Sequence, residues 1–201
     1  MHRAFASLIM SFTRPGYRGR YAAKTRPMRL FFLSLVLSLG ASSVAEDFVP
    51  HTALSGKVVL RAPKSFSPMS KDILDLKYPN SRRPTEVLSD ATGGITVAFN
   101  HTKSRMAPSQ VKEAHGSISK MFHNFYPSAK WIKDETIVQN GRAFMVLEFV
   151  TPALDTKIHN IMYGTSVDNR LLLVAFNTTV EQSEEWLPIG KQIMGSLAIK
   201  E

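Results

Sequence analysis

Two apolar runs, Phe144–Phe149 and Leu171–Phe176, constrain the fold of this chain more than any other feature. A strand turns alternate side chains to opposite faces, and both runs are apolar on both faces, so each strand must be central and covered on either side. Each run belongs to a hairpin. Trp131–Val138 and Ala143–Val150 are joined through Asn140-Gly141, a pair suited to a type I′ turn. Lys157–Thr165 and Arg170–Asn177 are joined through Asp168-Asn169. Antiparallel strands that must be covered on both sides call for a layered fold around a central sheet.

The preceding segments supply covering layers and further strands. Glu46–Ser55 has the look of a loose entry segment, and Gly56–Arg61 reads as a first strand stopped by Pro63. Ser70 is placed to cap a short helix over Lys71–Tyr78. Thr85–Leu88 and Ile95–His101 form a hairpin around Gly93-Gly94; Ile95, Val97 and Phe99 alternate with Thr96, Ala98 and Asn100, which predicts a strand with one buried face. Pro108–Phe125 is the clearest helix. Proline stands in its first turn, and Val111, Ala114, Ile118, Met121, Phe122 and Phe125 share one stripe that should lie on the sheet. Glu181–Ser196 closes the chain as a helix buried through Trp186, Ile189, Ile193 and Leu197, with Pro188 expected to kink it.

The fold class is therefore α+β, an α/β/α sandwich whose central, largely antiparallel sheet is flanked by helices. The element order resembles that of the PsbP/DcrB-like proteins. Leu60-Arg61-Ala62-Pro63, the long helix after the Ile95 hairpin, the meander Trp131–Asn177 and the ending Ile193-Met194-Gly195-Ser196-Leu197 carry the resemblance, which spans most of residues 56–200. It implies an exported or lumenal accessory protein, chaperone or assembly factor rather than an enzyme. No signature residues accompany it that could be carried over position by position.

The N-terminal region speaks of destination. Arg29 precedes the uncharged run Leu30–Leu39, Gly40 breaks it, and Ser43-Val44-Ala45 places small residues before Glu46. That is the pattern of a signal peptide over residues 28–45, cleaved between Ala45 and Glu46. The apolar run is too short to cross a bilayer core of about 30 Å, so the mature protein is expected to have no transmembrane segment. Residues 1–27 read as an upstream extension or a misassigned start, with Met28 as the first residue, and 46–201 as one exported domain, periplasmic or secreted.

Residues 1–45 hold seven of the 25 basic residues and no acid, so a formal charge of +9 falls to +2 over the remainder. Its charges are interspersed, which excludes a nucleic-acid footprint. The chain has no cysteine. Disulfides, thiolate metal sites, a cysteine nucleophile and a lipid-modified cysteine at the cleavage site are excluded with it.

Few residues point to chemistry. Ser117-Ile118-Ser119-Lys120 matches the S-x-x-K acylation motif, but Lys120 lies almost opposite the apolar stripe and would face water. His115 and His123 stand eight residues apart on the same helix, with no acidic companion at local spacing, so a locally built zinc site is not expected. Asp134-Glu135 belongs to an exposed strand. Glu148 interrupts an apolar strand, where an unpaired carboxylate would be costly, so either it pairs with a neighbour such as a lysine or histidine, the favoured reading, or the face opens there to solvent or a ligand. His101 and His159 lie on strands and can meet only through tertiary folding. Neither cofactor nor metal is expected. The leading reading is a non-enzymatic accessory or binding protein of the cell envelope that acts through a protein partner. The alternatives are an immunity protein against a secreted toxin, or a small exported hydrolase or ligand binder whose site gathers His101, Glu148 and His159.

Overall fold

The computed structural model describes residues 47–79 and 83–200; the readings over residues 1–45 and the Ala45–Glu46 cleavage site lie outside them. The strands are β1 (Phe48–Ala53), β2 (Val58–Pro63), β3 (Ser67–Pro68), β4 (Glu86–Ser89), β5 (Thr96–Arg105), β6 (Lys130–Gln139), β7 (Arg142–Pro152), β8 (Lys157–Val167), β9 (Arg170–Thr179) and β10 (Ala198–Ile199). The helices are α1 (Lys71–Lys77), α2 (Val111–Phe125) and α3 (Ser183–Gly195), the last two entered through single 3-10 turns at Pro108–Gln110 and Val180–Gln182. A seven-stranded antiparallel sheet has the order β3-β4-β5-β9-β8-β7-β6, and β1-β2-β10 form a second, three-stranded sheet.

Turn chemistry sets the meander. Asn140 and Gly141 have φ of 51° and 74°, and Asp168 and Asn169 have 51° and 54°. Positive φ at both central residues defines the type I′ geometry that matches strand twist, and asparagine, aspartate and glycine tolerate it best. The hairpins then align Glu148 with Ile161 and Leu173 with Gly164, which puts β9 and β8 at the middle of the sheet.

Both sheet faces are buried. On the first, Val97, Phe99, Phe144, Ile161, Leu172, Val174 and Phe176 pack against Ile193 and Met194 of α3 and against Val58, Leu60 and Ala62 of the small sheet. On the second, Met145, Leu147, Phe149, Met162, Leu171, Leu173 and Ala175 pack under Val111 and Phe122 of α2, with Ala114, Ile118 and Met121 half-buried beside them and Leu74 of α1 alongside. Ser70 caps α1 as expected, accepting from the Ile73 amide. α3 runs through Pro188, which has no N–H for the Glu184 carbonyl.

Three expectations are corrected. The entry segment is a strand: Phe48–Ala53 pairs in full register with β2. It escaped detection because its turn uses Leu54, Ser55 and Gly56, all at positive φ, and only glycine advertises that conformation. β5 is buried on both faces, because Thr96 and Ala98 lie under α1 and α2 while Val97 and Phe99 lie under the other layer. Finally, the first face is covered by the small sheet as well as by a helix. β10, two residues after the last helix, completes that small sheet through β2.

Candidate functional site

Glu148 of β7 and His159 of β8 meet on the first face. The His159 Nε2 lies 2.9 Å from Glu148 Oε1, and Lys191 Nζ of α3 lies 3.8 Å from the same oxygen. Both paired side chains are almost fully buried, at 4% and 8% exposure for Glu148 and His159. A buried carboxylate is tolerable only when paired, and here a histidine and a lysine both serve it, as the sequence led one to expect. Burial and the negative charges of Glu148 and Glu135 push the Tyr163 hydroxyl upward from its usual value.

His101 does not join them. Its Nε2 lies 2.9 Å from the Val167 carbonyl, at the far end of β8. Eight residues of strand separate His159 from Val167, roughly 26 Å at about 3.3 Å per residue. A site built from His101, Glu148 and His159 together is therefore not formed. Antiparallel pairing sends the two histidines to opposite ends of the sheet.

A second cluster gathers where β6 passes beside α2. Asp134 receives His115 Nε2 at 2.7 Å on Oδ1, and Ser119 Oγ at 2.6 Å and His123 Nε2 at 2.9 Å on Oδ2. His123 also stacks on Trp131, with ring centroids 3.8 Å apart. The missing acidic companion of His115 and His123 thus comes from the next strand. At about 100° per residue the histidines diverge by about 80°, but Ser119 lies midway and Asp134 reaches all three. Partial desolvation raises the Asp134 carboxyl, yet the hydrogen bonds from Ser119, His123 and His115 outweigh it and hold the group below its usual range. Ser119 donates to the carboxylate directly and not through a histidine, so the cluster does not have the serine–histidine–carboxylate order of a catalytic triad. The spacing of His115, Ser119 and His123, four residues each, was the available signal. Ser117 and Lys120 are both exposed, so the S-x-x-K match assembles nothing.

The third feature was not legible in the sequence. At the end of the sandwich that holds both type I′ turns, two adjoining cavities of about 210 and 380 Å³ share Pro108 and Arg142. Lys57, Val167, Asp168, Ile199 and Lys200 line the first, and Val138, Ala143 and Thr165 the second. Lys57 Nζ holds Asp168 at 2.6 Å and keeps its carboxyl below the usual range. The Lys200 amide donates to the Lys57 carbonyl at 2.8 Å, which anchors the chain beyond α3 to this end. Val138 is 65% exposed beside these cations.

No protein family and no curated protein matches this chain. Among solved structures, it is similar to the PsbP protein of the cyanobacterium Synechocystis, CyanoP, at 11% identity and a TM-score of 0.54 over 82% of this chain and 99% of that one. The fold is PsbP-like. LpqN of Mycobacterium tuberculosis, described as involved in cell envelope biogenesis, aligns at 10% identity and a TM-score of 0.46 over 78% of this chain and 92% of its own. The immunity protein TplEi of Pseudomonas aeruginosa aligns at 8% and 0.39 over 71% and 74%. At such identities the PsbP likeness is one of fold. Among the described residues no helix is long and apolar enough to cross a membrane, and no group of three or more histidines and carboxylates is arranged to hold a metal ion.

Proposed function

We propose that this chain is an exported, non-enzymatic accessory protein of the cell envelope that acts by binding a protein partner. The cavities at the turn end carry the reading: Lys57, Arg142 and Lys200 line them together with Pro108, Val138 and Ile199. Such a mixture of apolar contact and fixed charge suits recognition of another chain. The titratable clusters elsewhere are engaged with one another, Glu148 with His159 and Asp134 with His115 and His123, in arrangements that brace the layers. Export is supported by the leader pattern over residues 28–45, and the PsbP-like fold is compatible with an accessory role.

The test combines placement and contact. N-terminal sequencing of protein recovered from the envelope or medium should begin at Glu46. A photo-crosslinking residue at Val138 should trap one exported protein in living cells, whereas the same residue at Leu76, exposed on α1, should trap none. A chain that retains Met1 and stays in the cytosol overturns the reading, as does the absence of any adduct specific to Val138.

A further inference from the structure

We propose that the outer edge of β6, from Thr136 to Gln139, takes an extended, β-branched segment of the partner protein as an added strand. The inference rests on the partner-binding reading and names how that partner is held. Three observations carry it.

The first is the main chain. β6 ends the seven-stranded sheet, with β7 as its one strand neighbour among the described residues. The turn Asn140-Gly141 makes the flanking Gln139 and Arg142 a hydrogen-bonded pair, and bonded and non-bonded pairs alternate from there. Ile137 and Glu135 therefore give their N–H and C=O groups to Phe144 and Val146 of β7. Val138, Thr136 and Asp134 turn theirs outward, at a repeat of about 6.8 Å. A row of alternating donors and acceptors at that spacing is matched by another extended backbone.

The second is a contrast within the strand. Its first half carries the devices that keep a sheet edge from pairing: a bulge between Trp131 and Lys133, then the charges of Lys133, Asp134 and Glu135. Thr136-Ile137-Val138 has neither device, and Val138 is 65% exposed. The opposite edge of the same sheet, β3, is blunted by being two residues long. The third is the adjoining surface. Val138 borders, with Pro108, Ala143 and Thr165, the cavity of about 380 Å³, which can seat an apolar side chain of the added strand.

A second copy fits this edge poorly. Two β6 strands paired antiparallel over residues 133–139 would set Glu135 against Ile137 and Asp134 against Val138. A foreign segment avoids both clashes. It places valine, isoleucine or threonine opposite residues 136–138 and a lysine or arginine opposite Glu135, whose side chain is 50% exposed.

The probe is the acetylated, amidated peptide Thr-Val-Val-Thr-Lys-Ser, added to isotope-labelled protein purified after export, with amide exchange followed by NMR. Exchange at Thr136 and Val138 should slow by about tenfold or more, while Glu135 and Ile137, already bonded to β7, should not change. The same peptide N-methylated at its second, fourth and sixth residues should protect nothing. In cells, Thr136→Pro removes an outward N–H and leaves the β7 ladder whole, so the Val138 crosslink should vanish, whereas Thr136→Ala should keep it. Thermal melts check that both variants fold, and the exchange measurement decides without any substitution. Absence of protection overturns the proposal, as does equal protection by the methylated peptide. Protection that grows with protein concentration in the absence of peptide also overturns it, since that marks self-pairing. A Val138 crosslink that persists in folded Thr136→Pro refutes strand addition while leaving the partner-binding reading intact.

Discussion

The two faces of the seven-stranded sheet solve the same problem by different means. The first, under α3 and the small sheet, is closed by tight contact: a Cβ built on Gly190 would lie 2.3 Å from the Phe176 ring, so the helix backbone rests almost directly on β9. This face buries the pair of Glu148 and His159, with Lys191 of α3 at 3.8 Å from the carboxylate. The second face, under α1 and α2, is closed by long side chains and admits polar groups. Asn177 Nδ2 donates to Asn160 Oδ1 at 2.7 Å, and Asn160 in turn donates to the Phe149 carbonyl at 3.1 Å and to Thr151 Oγ1 at 3.3 Å. At its margin Lys77 donates to the Gly93 carbonyl at 2.5 Å, and burial draws its ammonium down to about 8 despite the nearby Asp90. At the other margin Asp134 ties α2 to the edge strand β6. A backbone-tight layer has little room to adjust, whereas a layer of side chains has room to repack.

The largest expected effect falls on the side-chain layer. Phe122, 1% exposed and in contact with Phe149 and Tyr126, anchors α2. Phe122→Ala should cost about 3–5 kcal/mol in urea unfolding, while Lys120→Ala on the opposite side of the helix should change stability by less than about 0.5 kcal/mol. Similar losses for both would mean that α2 does not lie on the sheet through this stripe.

Next comes the buried pair of the tight face. His159→Leu leaves the Glu148 carboxylate with Lys191 alone and should cost about 3 kcal/mol, whereas Glu148→Leu combined with His159→Leu should recover most of that loss. A double variant as unstable as the single one would show that the pair itself is worth more than an apolar replacement.

Gly190→Ala probes the close approach of α3. The added methyl meets the Phe176 ring at 2.3–2.7 Å, so the ring or the helix has to move, at about 1–3 kcal/mol. Phe176→Leu should make the Gly190→Ala change cheaper than in the parent, a coupling that a double-mutant cycle reads directly. Additive losses would place the strain elsewhere.

The smallest effect belongs to Asp134, which is partly exposed. Its carboxyl sits below the ordinary value of 3.8, so its contribution is present above that pH and is lost as pH falls through 3.8 toward the folded value. Asp134→Asn should lower stability near neutrality by about 1 kcal/mol or less and flatten the acid limb of the stability curve. An acid limb unchanged by the substitution would mean that the three donors of α2 do not hold the ionised form.

Much of the frame was legible because its signals are local. Asn140-Gly141 and Asp168-Asn169 set two turns within the residues that form them, and the period-3.6 stripe of α2 marked the side that Phe122 buries. The pairing of Glu148 followed from the cost of burying a charge. The strand β1 was missed because Leu54 and Ser55 adopt positive φ without any residue type that announces it. The two-sided burial of β5 was missed because Thr96 and Ala98 are small or polar, and such residues read as solvent-facing until a covering layer is known.

By itself, the sequence determined the antiparallel meander, the long amphipathic helix and the need for two covering layers, since turn chemistry and side-chain alternation act over a few residues. Tertiary structure decided the contacts between residues far apart in the chain. It placed β5 beside β9 and joined β10 to β2, and it brought Asp134 to a helix 11–19 residues earlier. It also carried Lys57 to Asp168, 111 residues away, at the edge of the turn-end cavity. Periodicity registers which face a residue takes. What stands opposite that face depends on how distant segments close over the sheet, and no local pattern encodes it.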